Sequence, residues 1–560
     1  MKKLWKAYDM LVVSMVILLL FTGCSFETST SIHYSFFSSL TFSTYIGGSG
    51  GEIVRALEQD SQNNIYIGGE TTSSDFPMKN AYQDTFHDND TDAFLTKFSS
   101  DGQLLWSTYL GGGDKFDHSP EMNRMYAGDM GWFSREAITC IQTTERAVYA
   151  GGYTHAESVP EFQYSSPHDY WFLNSFIAEF TLNGDFIRIL EMPYIEDNGY
   201  LILQDFQWIS DNEIVVGGIQ STWSENTKEY REGKMKYFVA SLHIEENNRV
   251  ILNWKQLISN LNSQLPAHNK KIEPLKIDVF QGKIYTACVA HCENKPCSTY
   301  GKEHDVCNDI CCYAMTGDLL WEECIDANEL GTTIKEISPK IGLHALWVCE
   351  QGIYIGGEVV SNWASPKQKE SKPRDPYGKD FDVQCYITHL SLTGKIIRSK
   401  AFGGNGDEAV YDMALNDDGL LFVTGSTSST DFPLVNPMQE QVFEEETGFI
   451  AVLSPSLSFL FSTYWGGEEY EMPKGTIQEE DSSYENEYKP ISRSMFIRAD
   501  STTFLVSGYT TNNTFPLKHA FQSNNPPCPW GEDGSLSNVF LSEMTFAEDD
   551  TIFEQTQFQE

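Results

Sequence analysis

Seven cysteines crowd one short stretch of this chain: Cys288, Cys292, Cys297, Cys307, Cys311, Cys312 and Cys324. Thiols this close can pair as disulfides, sit buried as small apolar side chains, or hold a metal. The spacing lacks the two-residue knuckles typical of structural zinc, and such density in an exported chain reads as disulfides stapling a long loop to the strands around it. His291 and His304 lie nearby and keep a metal site open as an alternative. A second group, Asp88-Asn89-Asp90-Thr91-Asp92, alternates side chains as a calcium loop does at its start, with Asp88, Asp90 and Asp92 as the candidate metal ligands. It lacks the sixth-place glycine and the distal glutamate of an EF-hand, so an Asp-rich turn entering a strand competes with calcium. No other cofactor is suggested. Nucleophile elbows, phosphate loops, paired-histidine zinc motifs and local triads are absent from the sequence.

The elements that must carry these groups are read from a repeat. Seven times a short apolar strand ends in a small pair: Gly68-Gly69, Gly151-Gly152, Gly217-Gly218, Ala287-Cys288, Gly356-Gly357, Thr424-Gly425 and Ser507-Gly508. Around each pair, period-two alternation is broken by Asp, Asn and Gly turns, the pattern of antiparallel strands joined by hairpins. A recurring unit of this size cannot bury its apolar face alone and stacks on copies of itself. Four strands per unit predict an all-β chain, a seven-bladed β-propeller of four-stranded antiparallel blades. The long connections, such as 70–92, 153–174 and 358–382, all leave strands at one end, which predicts one loop-rich face. Trp132, Trp171, Trp223, Trp363 and Trp530 fall in those connections as candidate ligand-binding residues. Packing within the loops is the competing role for them.

Three stretches carry a family resemblance: Ser43-Thr44-Tyr45-Ile46-Gly47-Gly48, Ser107-Thr108-Tyr109-Leu110-Gly111-Gly112 and Ser462-Thr463-Tyr464-Trp465-Gly466-Gly467. A second hallmark is Ser74-Asp75-Phe76-Pro77, echoed by Thr430-Asp431-Phe432-Pro433 and Asn513-Thr514-Phe515-Pro516. The chain resembles the bacterial SBBP (seven-bladed β-propeller) repeat family in its first, sixth and seventh units. The resemblance implies a secreted or surface propeller and no defined reaction.

Lys2, Lys3 and Lys6 precede an apolar run at 11–21 that is short for a membrane span and fits a signal peptide. Leu20-Phe21-Thr22-Gly23-Cys24 resembles a lipobox, which makes Cys24 the candidate lipidation site. The expected organisation is a lipoprotein signal peptide at 1–23, a Ser/Thr-rich tether at 24–38 and the propeller at 39–560. A formal charge of −41 disfavours nucleic acid as a partner and leaves the lipid as the membrane attachment. The expected location is the bacterial cell envelope, as an outer-membrane lipoprotein or at the cell surface. The expected role is binding or scaffolding through the long-loop face, with a protein or glycan partner. A glycan-acting enzyme using acidic residues near the axis, and a purely structural envelope protein, are the alternatives. Residues 39–46 repeat a fourth strand with no blade before them. They are expected to complete the last blade, in competition with Thr551-Ile552-Phe553.

Overall fold

Alternating apolar residues become paired strands throughout. The computed structural model describes residues 36–87, 91–112, 136–154, 174–192, 201–220, 236–260, 274–291, 306–325, 341–361, 382–467, 491–500, 503–524 and 537–548. Among them every regular element is a β-strand, beginning with β1 (Phe36–Ile46). Blade one is β2 (Glu52–Gln59), β3 (Ile65–Thr71), β4 (Asp92–Phe98) and β5 (Leu104–Leu110). Blade two is β6 (Glu136–Thr143), β7 (Ala147–Thr154), β8 (Asn174–Thr181) and β9 (Phe186–Glu191). Blade three is β10 (Leu201–Ser210), β11 (Glu213–Gln220), β12 (Lys236–Ile244) and β13 (Val250–Asn260). Blade four is β14 (Lys276–Phe280), β15 (Lys283–His291), β16 (Val306–Ala314) and β17 (Leu319–Ile325). Blade five is β18 (Ile341–Cys349), β19 (Gly352–Ser361), β20 (Asp382–Leu390) and β21 (Ile396–Phe402). Blade six is β22 (Glu408–Leu415), β23 (Leu421–Thr427), β24 (Thr447–Leu453) and β25 (Phe459–Trp465). Blade seven has β26 (Ser492–Ala499), β27 (Thr503–Thr510) and β28 (Asn538–Glu548), and β1 is its fourth strand.

The first strand of each blade packs on the first strand of the next, and β26 packs on β2. The molecule is a seven-bladed β-propeller closed by pairing of its two ends. All seven sheets lie in the compact unit Phe37–Ala547; Met1–Phe36 with Glu548–Glu560 form a separate unit that is almost wholly outside the described residues. The closing strand is longer than the expected 39–46, and Thr41 and Ser43 meet Thr545 and Ser542 through hydroxyl contacts of 2.8 Å. Thr551-Ile552-Phe553 and Cys24 lie outside the described residues.

The two small residues have different physical causes. A methyl group on Gly68 would meet Ile138 of the next blade at 2.7 Å, and one on Gly217 would meet Ile277 at 2.3 Å. The second glycine instead faces its own blade's inner strand: a methyl on Gly69, Gly218 or Gly425 would lie 2.0, 2.0 or 1.9 Å from the carbonyl of Ile53, Ile202 or Ala409. Those carbonyls sit beside bulges in β2, β10 and β22. Blade packing explains the first position; bulge geometry explains the second.

The two hallmark motifs clasp each other. The Tyr109 hydroxyl donates to the Ser73 carbonyl at 2.7 Å and accepts the Phe76 N–H at 3.2 Å. Tyr464 does the same with Ser429 and Phe432. In blade seven the tyrosine comes from the other end of the chain: Tyr45 donates to the Asn512 carbonyl at 2.9 Å and accepts the Phe515 N–H at 3.1 Å. The glycine pair that follows each of these tyrosines, or its counterpart in blade five, holds a buried carboxylate. Gly112, Gly404 and Gly467 donate their N–H groups to Glu136, Glu408 and Glu444, at 3.3, 3.1 and 3.1 Å. Glu52, Glu136 and Glu408 open β2, β6 and β22, but the equivalent place in β26 is Ser492. There Glu444 reaches over from blade six and takes the hydroxyl of Ser492 at 2.7 Å and the amide of Asn512 at 2.9 Å.

Candidate functional site: the axial channel

Six inner strands carry one residue out of register, between Val54 and Ala56, Ile138 and Cys140, Leu203 and Asp205, Leu343 and Ala345, Val410 and Asp412, and Ser494 and Phe496. A bulge re-aims the extra side chain. Here that places Arg55, Thr139, Gln204, His344, Tyr411 and Met495 in a tier around the axis. Arg55 forks onto Glu70 with bonds of 3.0 and 2.8 Å, and a third of its side chain stays open to solvent while Glu70 is buried. Burial alone would lower the Arg55 pKa, but the Glu70 carboxylate and the Tyr153 phenol outweigh it and raise it. In the adjoining blade seven Arg493 donates to Glu446 at 2.7 Å and lies 5.9 Å from the Tyr509 ring centre. Tyr411 accepts the Ser426 hydroxyl at 3.2 Å, and burial raises its phenol well above the ordinary range. His344 stands 3.8 Å from Glu358 in the same tier.

A second tier lies one turn of pleat further along the inner strands. Arg498 donates to Asp412 of blade six at 3.0 Å and to Glu58 of blade one at 3.3 Å, so one guanidinium ties three consecutive blades. Burial raises the Glu58 pKa against the pull of Arg498. Asp205 accepts the Ile277 N–H and Asp278 the Val348 N–H, at 2.9 and 2.8 Å, each stitching an inner strand to the next. Burial pushes Asp278 up to about 6.

Trp132, Trp171, Trp223, Trp363 and Trp530 all lie outside the described residues, as do Asp88 and Asp90. Asp92 is buried at the head of β4, where its carboxylate accepts the His87 N–H at 3.0 Å. The cysteine expectation holds in part in blade four, with one disulfide among the described residues. β15 and β16 pair as far as His291 and Val306. Cys307 and Cys324 form a disulfide between β16 and β17, Cα atoms 5.9 Å apart, while Cys292 and Cys297 lie outside the described residues. Cys288, Cys311 and Cys312 are buried thiols, because they stand within paired strands as small core side chains.

Sequence reasoning missed the arginines of the axis. The signal was a break of phase: core residues three apart, as in Val54/Leu57, Leu203/Phe206 and Val410/Met413, where a regular strand allows only even spacings.

The family model for the SBBP beta-propeller repeat matches residues 41–77. That segment is SBBP-like. It joins β1 of the last blade to β2 and β3 of the first, so the matched motif spans the closure. No curated protein matches the chain. Among solved structures, an endosialidase of phage phi92 is 9% identical and aligns with TM-score 0.33, covering 94% of this chain and 71% of that one. An alpha-L-arabinofuranosidase of Fusarium graminearum, solved with arabinobiose, is 10% identical with TM-score 0.30 over 72% of this chain and 89% of that one. Likenesses this distant carry no argument about chemistry.

Proposed function

We propose that this propeller is a lipid-anchored extracytoplasmic binding module, attached through Cys24, that takes a glycan or protein partner at the long-loop mouth of its axis. One observation carries the reading: the axis offers half-open arginines and tyrosines, while the described carboxylates of both tiers, Glu358 beside His344 included, face partners within the fold. Arg55, Arg493, Tyr411 and Tyr509 are the residue types that dominate binding hot spots. Glu70 is held by Arg55 and Glu446 by Arg493. Glu58 and Asp412 are held by Arg498, and Asp205 and Asp278 accept backbone N–H groups. A glycosidase needs an acid and a base aimed at substrate, and these carboxylates are aimed at their neighbours.

The test uses the mature chain on a glycan array and in pull-downs from envelope extract. Binding is expected to fall about tenfold or more in Tyr411→Ala/Arg493→Met, in line with hot-spot losses of ~1.4 kcal/mol or more. A control change at Asn63, in the short turn on the opposite face, should leave it intact. Ligand capture unaffected by the axial pair would overturn the binding reading. Cys24→Ala should leave the membrane fraction, and its persistence there after processing would overturn the anchor.

A further inference from the structure

Blade four breaks the internal repeat on one face. In the other six blades an aromatic residue stands opposite the second glycine: Phe94, Phe176, Phe238, Tyr386, Phe449 and Phe540. In blade four that place is Asp309, opposite Cys288. Two residues earlier on the second strand, the other blades carry Ile67, Ala150, Val216, Ile355, Val423 and Val506; blade four has Thr286. Thr286 faces Cys311, and Cys311 faces Glu322 on the outer strand. Asp309 and Thr286 thus stand where the other blades place an aromatic and an apolar residue, and with Cys311 and Glu322 they gather four polar side chains across three strands.

The geometry is that of a ligand set. One ligand atom each from Asp309, Cys311 and Glu322 lies within 4.8 Å of the others. Asp309 is 3% exposed, and the wall facing Cys311 is apolar, including Val215, Val239 and Ile277. The Thr286 hydroxyl is fully buried and makes no hydrogen bond. The Cys311 thiol faces Asp309, Sγ to Oδ1 3.8 Å, so the set is already in contact, and the unsatisfied Thr286 hydroxyl is costly there unless something compensates it. The Cys307–Cys324 disulfide clips β16 to β17 beside this group and fixes the register that brings Glu322 to Cys311.

We propose that Asp309, Cys311, Glu322 and Thr286 form a binding site for a divalent transition ion of the zinc class. A thiolate with carboxylate and hydroxyl oxygens suits zinc, whereas calcium and magnesium take oxygen alone. Tetrahedral bonds of about 2.0–2.3 Å place ligand atoms about 3.3–3.8 Å apart, so small side-chain rotations close the set. Binding transfers the Cys311 thiol proton to solvent, and the resulting thiolate with two carboxylates exceeds the ion's charge by one. The half-buried Glu322 is the entry side, since it lies on the outer strand.

The experiment titrates the metal-stripped full chain, its disulfide intact, with cobalt(II) as a spectroscopic stand-in for zinc. A thiolate-to-cobalt charge-transfer band saturating at one ion per chain and abolished by zinc is the expected result. The band should vanish in Cys311→Ser and persist in Cys312→Ser, whose side chain packs toward blade five. Glu322→Gln, a change outside the core, should weaken cobalt affinity about tenfold or more. Zinc should raise the melting temperature of the native chain more than that of Glu322→Gln. Absence of the band in the native chain, its survival in Cys311→Ser, or unchanged affinity in Glu322→Gln would each overturn the proposal.

Discussion

Replacing Arg498 with methionine should be among the costliest single changes at the ring closure. The substitution keeps most of the stem and removes only the fork that holds Glu58 and Asp412. Both carboxylates then face the channel without a counter-charge. Removing one partner of a fully buried pair costs about 3–5 kcal/mol. The side chains here are 28% exposed for Arg498, 24% for Glu58 and 17% for Asp412, so channel water recovers part of that. We expect a loss of about 2–3 kcal/mol at pH 7 after that discount, read as a shift in the urea midpoint. Adding Glu58→Gln to the variant should restore roughly half the loss, because one of the two orphaned charges is gone. The pH dependence has a fixed sign. Burial already raises Glu58 and Arg498 opposes it, so the variant raises it further. A group whose folded pKa is raised contributes stability below its unfolded value, about 4.3 for Glu, and loses it as pH climbs through the folded value. The deficit of Arg498→Met should therefore shrink as pH falls from 7 toward 5. A deficit under about 0.5 kcal/mol at pH 7, or one that stays constant down to pH 5, would refute the three-blade tie.

Two further outcomes follow from the closure and the buried carboxylates. A chain lacking residues 25–46 loses the fourth strand of blade seven and the Tyr45 clasp; its melting temperature should drop by several degrees or more, and an unchanged melting curve would count against end-to-end pairing. Glu52 is pushed up to about 8 by burial, against hydrogen bonds from Ser73, Thr71 and Gly48, so the native chain should lose stability between pH 5 and 9 more steeply than Glu52→Gln does, and parallel curves would show the carboxyl to be ordinary.

The ring was legible because its signals are local and repeated. Strand alternation and small pairs recur in each unit, and the misplaced strand at 39–46 could be assigned by asking where its backbone groups would pair. The middle of the chain was legible only as spacing. Val306–Asp309 lacks apolar alternation, yet it is strand, because backbone pairing to β15 overrides a polar face. The axial arginines escaped because bulges change phase by one residue, and only the tertiary ring makes Arg55, Arg493 and Arg498 neighbours. Pair partners such as Glu58 and Arg498 stand 440 residues apart, beyond any spacing rule.

Closure by β1 also sets the order of events when the protein is made. The first propeller strand to leave the ribosome is the last to find its partner, since Thr41 waits for Thr545, 504 residues later. Until then β28 has no outer neighbour in a nascent or truncated copy, and β1 is a mobile strand with a matching edge on every other copy. Two chains crowded at one site of synthesis can therefore trade these strands, each completing the other's seventh blade with its own native contacts. Such an exchanged pair would need no new interface, only a reach between neighbours, and slow release of the first chain would favour it.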